Sequence, residues 1–454
     1  MVNRKRWHML KRHKVTWALT AFGALVIVCI TAFLFFADFF TNGYIKNRIV
    51  KAFTKACPAY SLRLSGVHYN VWKNRLGFDR IAINSNDSAF SCIIGKLSVG
   101  GISWLSILRH EDIASKGIAG SVAYVREIAL NFRQERYELI CKRLRVSLPD
   151  SAISADHLEF HPLDNDAKFF SHSAFRRTRF RINLPQCTVI GADCLGLLQG
   201  KAYRARSVNL INPVFDILVN QDTPAGPDSQ RPLMPCQALS SINKMTRVNV
   251  LNIINGRMDY DERYILGSPP AEVTFDSVDL AAEGLTNRAA SGATATIRGQ
   301  GTFMKTSRMK ISMIVPVISP KIPLRYSGSL DGMELAKLNS FLETGERLRI
   351  KSGVLETATF DIAITAGHAT GSLRAMYKDL YIAVLGKVSG SEKGASNRIA
   401  SFMTNAVKIR GTNMPDKSGV MKIGLVKYEQ KQFDTVLQLL WFSLRSGIGD
   451  VVGF

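Results

Sequence analysis

The chain has 454 residues, 46% of them hydrophobic and 21% charged. That balance excludes a disordered polypeptide and allows one long core or several ordinary ones. Lys and Arg number 59 against 36 Asp and Glu, a formal charge of +23. Six of the cations (Arg4, Lys5, Arg6, Lys11, Arg12, Lys14) crowd the first fourteen residues, and without them the balance is 53 against 36, still +17. A surplus of that size points to an anionic neighbour, either nucleic acid or lipid head groups.

Val15 to Ala37 is a run of 23 residues without a charge. At about 1.5 Å of rise per residue it is long enough to span roughly 30 Å of hydrocarbon. It predicts a transmembrane helix, with Trp17, Leu25, Val26, Ile27, Phe33 and Phe36 among the residues of the membrane anchor. A cleaved signal peptide would be shorter and end in small residues, whereas this run closes on Phe33-Leu34-Phe35-Phe36. The flanking cations all precede it, so residues 1–14 are expected in the cytoplasm and Asp38 onward across the membrane. That placement excludes nucleic acid as the partner and leaves lipid.

Residues 38–57 carry Phe39, Phe40, Tyr44, Ile45, Ile49, Val50 and Phe53 at helical spacing among basic residues, which predicts an amphipathic helix capping the body of the protein. From Tyr60 the period becomes two: Leu62 and Leu64, then Val67, Tyr69 and Val71, then Leu76 and Phe78, then Ile81 and Ile83. The same alternation returns in Leu144-Arg-Val-Ser-Leu148, Arg179–Leu184, Val208–Ile211, Val273–Phe275, Lys310–Val315 and Phe360–Ile364. Short apolar stretches at 104–108, 192–198 and 333–342 read as single helices. The fold class expected for 58–429 is mainly β: an elongated, curved antiparallel sheet forming a groove. Prolines in Asn220–Pro235 mark a loop between possible halves. Residues 430–454 predict a C-terminal amphipathic helix, with Phe433, Val436, Leu437, Leu440, Trp441 and Leu444 on one face, ending at Ser446-Gly447-Ile-Gly449 before an apolar tail that packs or meets a membrane.

No motif points to catalysis. His157 and His161 sit in an alternating stretch, where strand spacing separates them by about 13 Å, too far to share one metal ion. Gly196–Lys201 is one residue short of a phosphate loop and has Ala202 in place of the magnesium-holding hydroxyl. Asp259, Asp261 and Glu262 lie beside Arg257 and Arg263 and read as a solvated turn. Of the seven cysteines, Cys29 falls in the membrane run; Cys187 and Cys194 flank a turn at Gly191 where they could pair or stay free, and none has CxxC spacing. No enzyme, metal or cofactor is expected.

What remains is the alternation itself. A sheet with one apolar face and few helices to cover it offers a surface for acyl chains, with Leu144, Val146, Leu148, Ile311, Met313 and Val315 as candidate contacts. Arg145 and Ser147 would face the other way, and Arg176, Arg177, Arg179 and Arg181 are candidates to hold anionic head groups at the rim. The alternative is a closed core in a non-enzymatic envelope scaffold or regulator.

The C-terminal third resembles the AsmA-like proteins, in particular their shorter branch. The resemblance rests on Leu330–Leu342 with Leu338, Asn339 and Phe341, on Arg349–Leu355 with Gly353, on Phe360–Ile364, on Gly367–Gly371 and on Tyr377–Ile382. Gly419–Gly424, Tyr428 and Leu440–Gly447 with Trp441 extend it. It is persuasive over 320–454, and its motifs are structural. The resemblance implies an inner-membrane protein of a bacterium with two membranes, its bulk periplasmic, carrying phospholipid in a repeating β-groove toward the outer membrane. Envelope or outer-membrane proteins are its expected partners, and it supplies no catalytic residues.

Overall fold

Period-two alternation becomes strand almost wherever it occurs, because side chains on a pleated chain point alternately to opposite faces. The computed structural model describes residues 43, 46–70, 72–102, 117–198, 200–224, 235–265, 267–290, 292–318, 323–385, 409–432 and 434–453. The expected membrane span 15–37, with Trp17, Leu25, Val26, Ile27, Phe33 and Phe36, lies outside these, as does the short helix expected at 104–108. Among the described residues no helix is long and apolar enough to cross a membrane. The chain is mainly β and divides into two units, 1–128 and 129–454.

In the first unit, helix α1 (Lys46–Ala56) precedes strands β1 (Tyr60–Asn70), β2 (Arg75–Ser85) and β3 (Phe90–Gly100), paired antiparallel. Ile49 and Val50 of α1 pack on the buried trio Leu64, Val67 and Ile81, while Phe39, Phe40, Tyr44 and Ile45 of the helix expected over 38–57 lie outside the described residues. Leu64, Ile81 and Ile94 stand side by side in register, as do Val67, Phe78 and Leu97. Between these rows the ladder skips one residue in each strand, Ser65, Arg80 and Gly95, and Arg80 adopts φ +37°. A single residue outside the ladder bends the strand and restarts the alternation on the other parity, so both halves keep their apolar side chains on one face.

Strand β4 (Val122–Phe132) carries the chain across the unit boundary. In the second unit β5 (Tyr137–Ser147), β6 (Ala152–Pro162) and β7 (Thr178–Ile190) pair antiparallel. β7 then pairs with β8 (Ala202–Ile211) along one half and β9 (Val214–Asn220) along the other, which makes β8 and β9 one strand interrupted at Asn212-Pro213. Both run parallel to β10 (Met245–Arg263), so the sheet is mixed and not wholly antiparallel as the alternation suggested. Antiparallel pairing resumes through β11 (Ala271–Thr286), β12 (Thr294–Phe303), β13 (Ser307–Pro316), β14 (Leu324–Leu330), β16 (Leu348–Thr365), β17 (His368–Val384) and β18 (Gly424–Glu429), with a two-residue β15 (Met333–Glu334) beside β16. Residues 225–234 of the loop expected between possible halves lie outside the described residues.

The same interruption recurs here, at Lys142 and His157, at Pro185, at Asn212 and at Asn255-Gly256, and the register also slips near Ser277. His157, Asn212, Asn255 and Ser277 are left-handed, with φ between +49° and +51°. Hence the two imidazoles of 157 and 161 are separated by spacing and by a kink; His161 Nδ1 sits 3.0 Å from the Pro162 carbonyl. A left-handed residue with a side chain costs on the order of 1–2 kcal/mol, and β-branching makes it worse. His157→Gly should therefore keep or raise stability while His157→Val lowers it by about 1–2 kcal/mol, the reverse of ordinary strand preference. Denaturant unfolding of the two variants checks this; equal midpoints would remove the left-handed kink from the account.

Candidate functional site

Two apolar rows cross the second unit in strict register. The first runs Leu144, Ala155, Cys187, Leu210, Ile253, Leu280, Gly299, Ile311, Gly328, Phe360, Leu373 and Gly424. The second runs Val146, Ile153, Val189, Val208, Leu251, Ala282, Ile297, Met313, Tyr326, Ile362, Gly371 and Val426. Between them, pointing to the opposite face, lies a polar row that includes Arg145, Ser154, Thr188, Asn209, Asn252, Arg298, Ser312, Ser327, Asp361 and Ser372. Its amides link strand to strand: Asn252 Nδ2 donates to Asn209 Oδ1 at 2.8 Å, and Asn209 Nδ2 to Thr188 Oγ1 at 3.3 Å. Eleven strand spacings of about 4.8 Å give these rows a length on the order of 50 Å.

The rows have two different fates. Over β14 to β18 they are roofed by the C-terminal helix, numbered α6 in chain order (Val436–Val452). Leu439, Val451 and Val452 join Val315, Leu324, Tyr326, Phe360, Ile362, Leu373 and Val426 in one buried core. Over β5 to β11 only Ala155 and Ala282 of the twelve row residues are buried, and the other ten are partly exposed. None of the twelve belongs to a buried cluster of the described residues. Helix α2 (Asp166–Ser171) packs Phe169 and Phe170 on Tyr137 and Leu218, near strand ends.

Helix α6 can lie this close because its inner stripe is small. Leu439, Ser443, Gly447 and Val451 recur every four residues and are buried; of the face drawn from the sequence, Leu440 and Leu444 pack on the core and Trp441 on Phe341, whereas Leu437 is exposed. A methyl on Gly424 would stand 2.2 Å from the Gly447 carbonyl, which requires glycine there. The helix also passes through Gly447 and Gly449, where an end was expected, and stops at Gly453 with φ +97°. Of the two outcomes left open for its apolar end, Val451 and Val452 pack in the core. Tyr326 Oη donates to the Leu440 carbonyl at 2.9 Å, and Gln438 Nε2 to Glu262 at 3.2 Å.

Of the candidate contacts, Leu144 and Ile311 share the first row, and Val146 and Met313 the second. Val315 is buried beneath the core, and Leu148 lies in the turn after β5. Ser147 does not face solvent: it is buried and donates to Asp150 at 2.6 Å. The rim arginines are largely engaged. Arg179 is buried between Asp166 and Asp216, Arg181 reaches the same two carboxylates, and Arg177 lies over the Phe169 ring. Asp259, Asp261 and Glu262 belong to β10 and not to a turn, and Glu262 is buried and accepts hydrogen bonds from Tyr260 and Tyr264. Cys187 and Cys194 are free thiols, as are Cys57, Cys92 and Cys141.

Residues that carry the C-terminal resemblance hold the closed end. Asn339 clamps Ile350 through its N–H (2.8 Å) and carbonyl (2.9 Å). Phe341 meets Trp441 edge to face, Leu338 packs on the core, and Tyr377 Oη donates to the Arg410 carbonyl. Gly353 and Gly367 have positive φ, and a methyl on Gly371 would meet the Asp361 carbonyl at 2.2 Å. Phe360 lies within the core. Among the described residues no group of three or more ligating side chains could hold a metal ion.

Burial pushes the Glu346 carboxyl up to about 7, opposed by Arg445, whose guanidinium lies 2.8 Å away, and aided by the Glu262 charge. A group that binds its proton more tightly folded than unfolded favours the folded state at low pH, and that advantage disappears as pH rises from about 4.5 through about 7. Asp261, raised by burial to about 6, acts in the same direction over a lower range. Stability should therefore fall between pH 5 and 8, and Glu346→Gln should flatten the upper part of that fall by on the order of 1–3 kcal/mol. Thermal melts of both proteins at the two pH values check it; parallel profiles would show that Glu346 is not the titrating group.

The sequence matches no family model and no curated protein.

Proposed function

We propose that this chain, anchored in the inner membrane by residues 15–37 and with its bulk in the periplasm, shields acyl chains on its apolar face and supports phospholipid transport between inner and outer membranes. The observation that carries this reading is the pair of registered apolar rows that stays partly exposed from β5 to β11, backed by a polar row on the other face. An acyl chain leaving a bilayer exchanges one apolar surrounding for another, so the face needs only to match lipid. Each methylene left wet costs about 0.8 kcal/mol, and an unbroken row avoids that cost from strand to strand. The AsmA-like motifs of the C-terminal third agree with such a groove.

The scaffold alternative is favoured by one stretch, the core closed by α6 over β14 to β18. The two readings part at β5 to β11. In-cell photocrosslinking, with a light-activated residue at Leu144, Val146 or Ile311, should capture phospholipid, while Lys310 and Ser312 on the opposite face and buried Val315 should not. Absence of lipid adducts at all three row positions would sink the groove reading and leave the scaffold.

A further inference from the structure

The β1–β2 hairpin ends in a turn that holds a tryptophan out of the protein. Trp72 is 82% exposed, although an indole is among the side chains with most apolar surface to hide. The turn is braced on both sides of it: the Lys73 N–H donates to Asn70 Oδ1 at 2.9 Å, and Tyr69 Oη to Asn74 Oδ1 at 2.8 Å. Asn74, left-handed at φ +42°, donates in turn from Nδ2 to the Ile102 carbonyl at 3.0 Å, which ties the turn to the chain beyond β3. Beside it the Arg75 guanidinium stands 5.7 Å from the ring centre of exposed Tyr124 in β4. Two aromatics and two cations thus share one end of the first unit's strands. Acidic groups lie elsewhere: residues 46–102 hold nine Lys and Arg against Asp79 and Asp87 alone. Asp79 pairs in the ladder with Gly66, and Asp87 lies in the β2–β3 turn at the other end.

The chain reaches this unit from the same end. Helix α1 turns into β1 at its C-terminal end, where the Tyr60 N–H donates to the Cys57 carbonyl at 3.0 Å. Its first residue reaches the middle of that strand, Lys46 Nζ donating to the Ser65 carbonyl at 3.4 Å. Followed backwards, α1 therefore runs along β1 toward the hairpin turn. From Ser65 to Asn70 is about 16 Å of strand, and the eight residues between the expected span and Lys46 reach up to about 28 Å. We propose that the hairpin tip, Trp72 with Lys73 and Arg75, docks on anionic lipid in the head-group layer of the membrane crossed by residues 15–37. The proposal rests on that span and adds a second contact with the same bilayer. Indole and phenol rings favour head-group depth, where an apolar body meets a wet edge, and cations beside them gain from lipid phosphates. The docked tip holds α1 and β1, the first elements of the apolar face, against the bilayer that acyl chains leave.

The test uses the full-length chain reconstituted into vesicles of phosphatidylcholine and phosphatidylglycerol, with or without bromine near the top of the phosphatidylcholine acyl chains, where it quenches tryptophan. Trp72 emission is read as the difference between wild type and Trp72→Phe. Bromine should lower it by about half or more, the indole sitting at head-group depth. Lys73→Gln together with Arg75→Gln, measured by the same difference, should return most of it, each cation at an anionic surface being worth roughly a factor of five. Vesicles of phosphatidylcholine alone should do the same. Trp72 emission indifferent to bromine, with the chain still held in the vesicles at alkaline pH, overturns the docking and leaves the span standing. Quenching at full strength in both of the last two cases overturns the anionic partner. Release of wild type from the vesicles at alkaline pH overturns the span, and the docking with it.

Discussion

Everything described for the second unit depends on one constraint, that cross-strand register stays coherent through the line of kinks. Side chains alternate with period two, so a single uncorrected slip would send every apolar residue beyond it to the polar face. Each kinked strand instead skips a residue at about the same height. Lys142 faces His157, His157 in turn faces Pro185, and Asn212-Pro213 continues the line to Asn255-Gly256. Leu139, Phe160, Ile182, Phe215, Met258 and Phe275 then share one row on one side of the line, and Leu144, Ala155, Cys187, Leu210, Ile253 and Leu280 share one on the other. A left-handed backbone at several of these positions is the local cost, and a continuous apolar face is what it supports.

The sheet of the second unit is finished at β18 by the helix that also roofs it. An edge strand leaves alternate N–H groups without a ladder partner, and such a row invites another strand. Here the Leu425 N–H donates to Asp450 Oδ2 at 2.7 Å and the Lys427 N–H to Ser446 Oγ at 3.1 Å, both acceptors carried by α6. The same helix therefore buries the rows, through Leu439 and Val451, and occupies the edge, through Ser446 and Asp450. Closure at this end and partial exposure over β5 to β11 belong to one design, in which the apolar face is directional along the sheet.

Charge is distributed by the same alternation. Several strand cations on the polar face have carboxylate neighbours across the ladder, as Arg143 has Asp156 and Arg325 has Asp361. Exposed pairs of this kind add little to stability, but they keep the outer face wet and locally neutral.

Much of the mainly β architecture was legible because alternation is local chemistry. Leu62 and Leu64 followed by Val67 and Tyr69 already show the parity change that a kink must correct. The pairing of Leu144 with Ile311 on one row, 167 residues apart, was not legible, since register is decided by which strands meet. Nor was the parallel docking of β10, or the burial of Glu262 within a run of charges, because both depend on elements brought from elsewhere: β8 and β9 in one case, Gln438 in the other. The sequence by itself determined which side chains share a face of each strand, because the period is set by the backbone. Tertiary structure alone decided which stretch of that face is roofed by α6 and which stays partly exposed, because helix placement turns on close packing at Gly424 and Gly447 that no local pattern records.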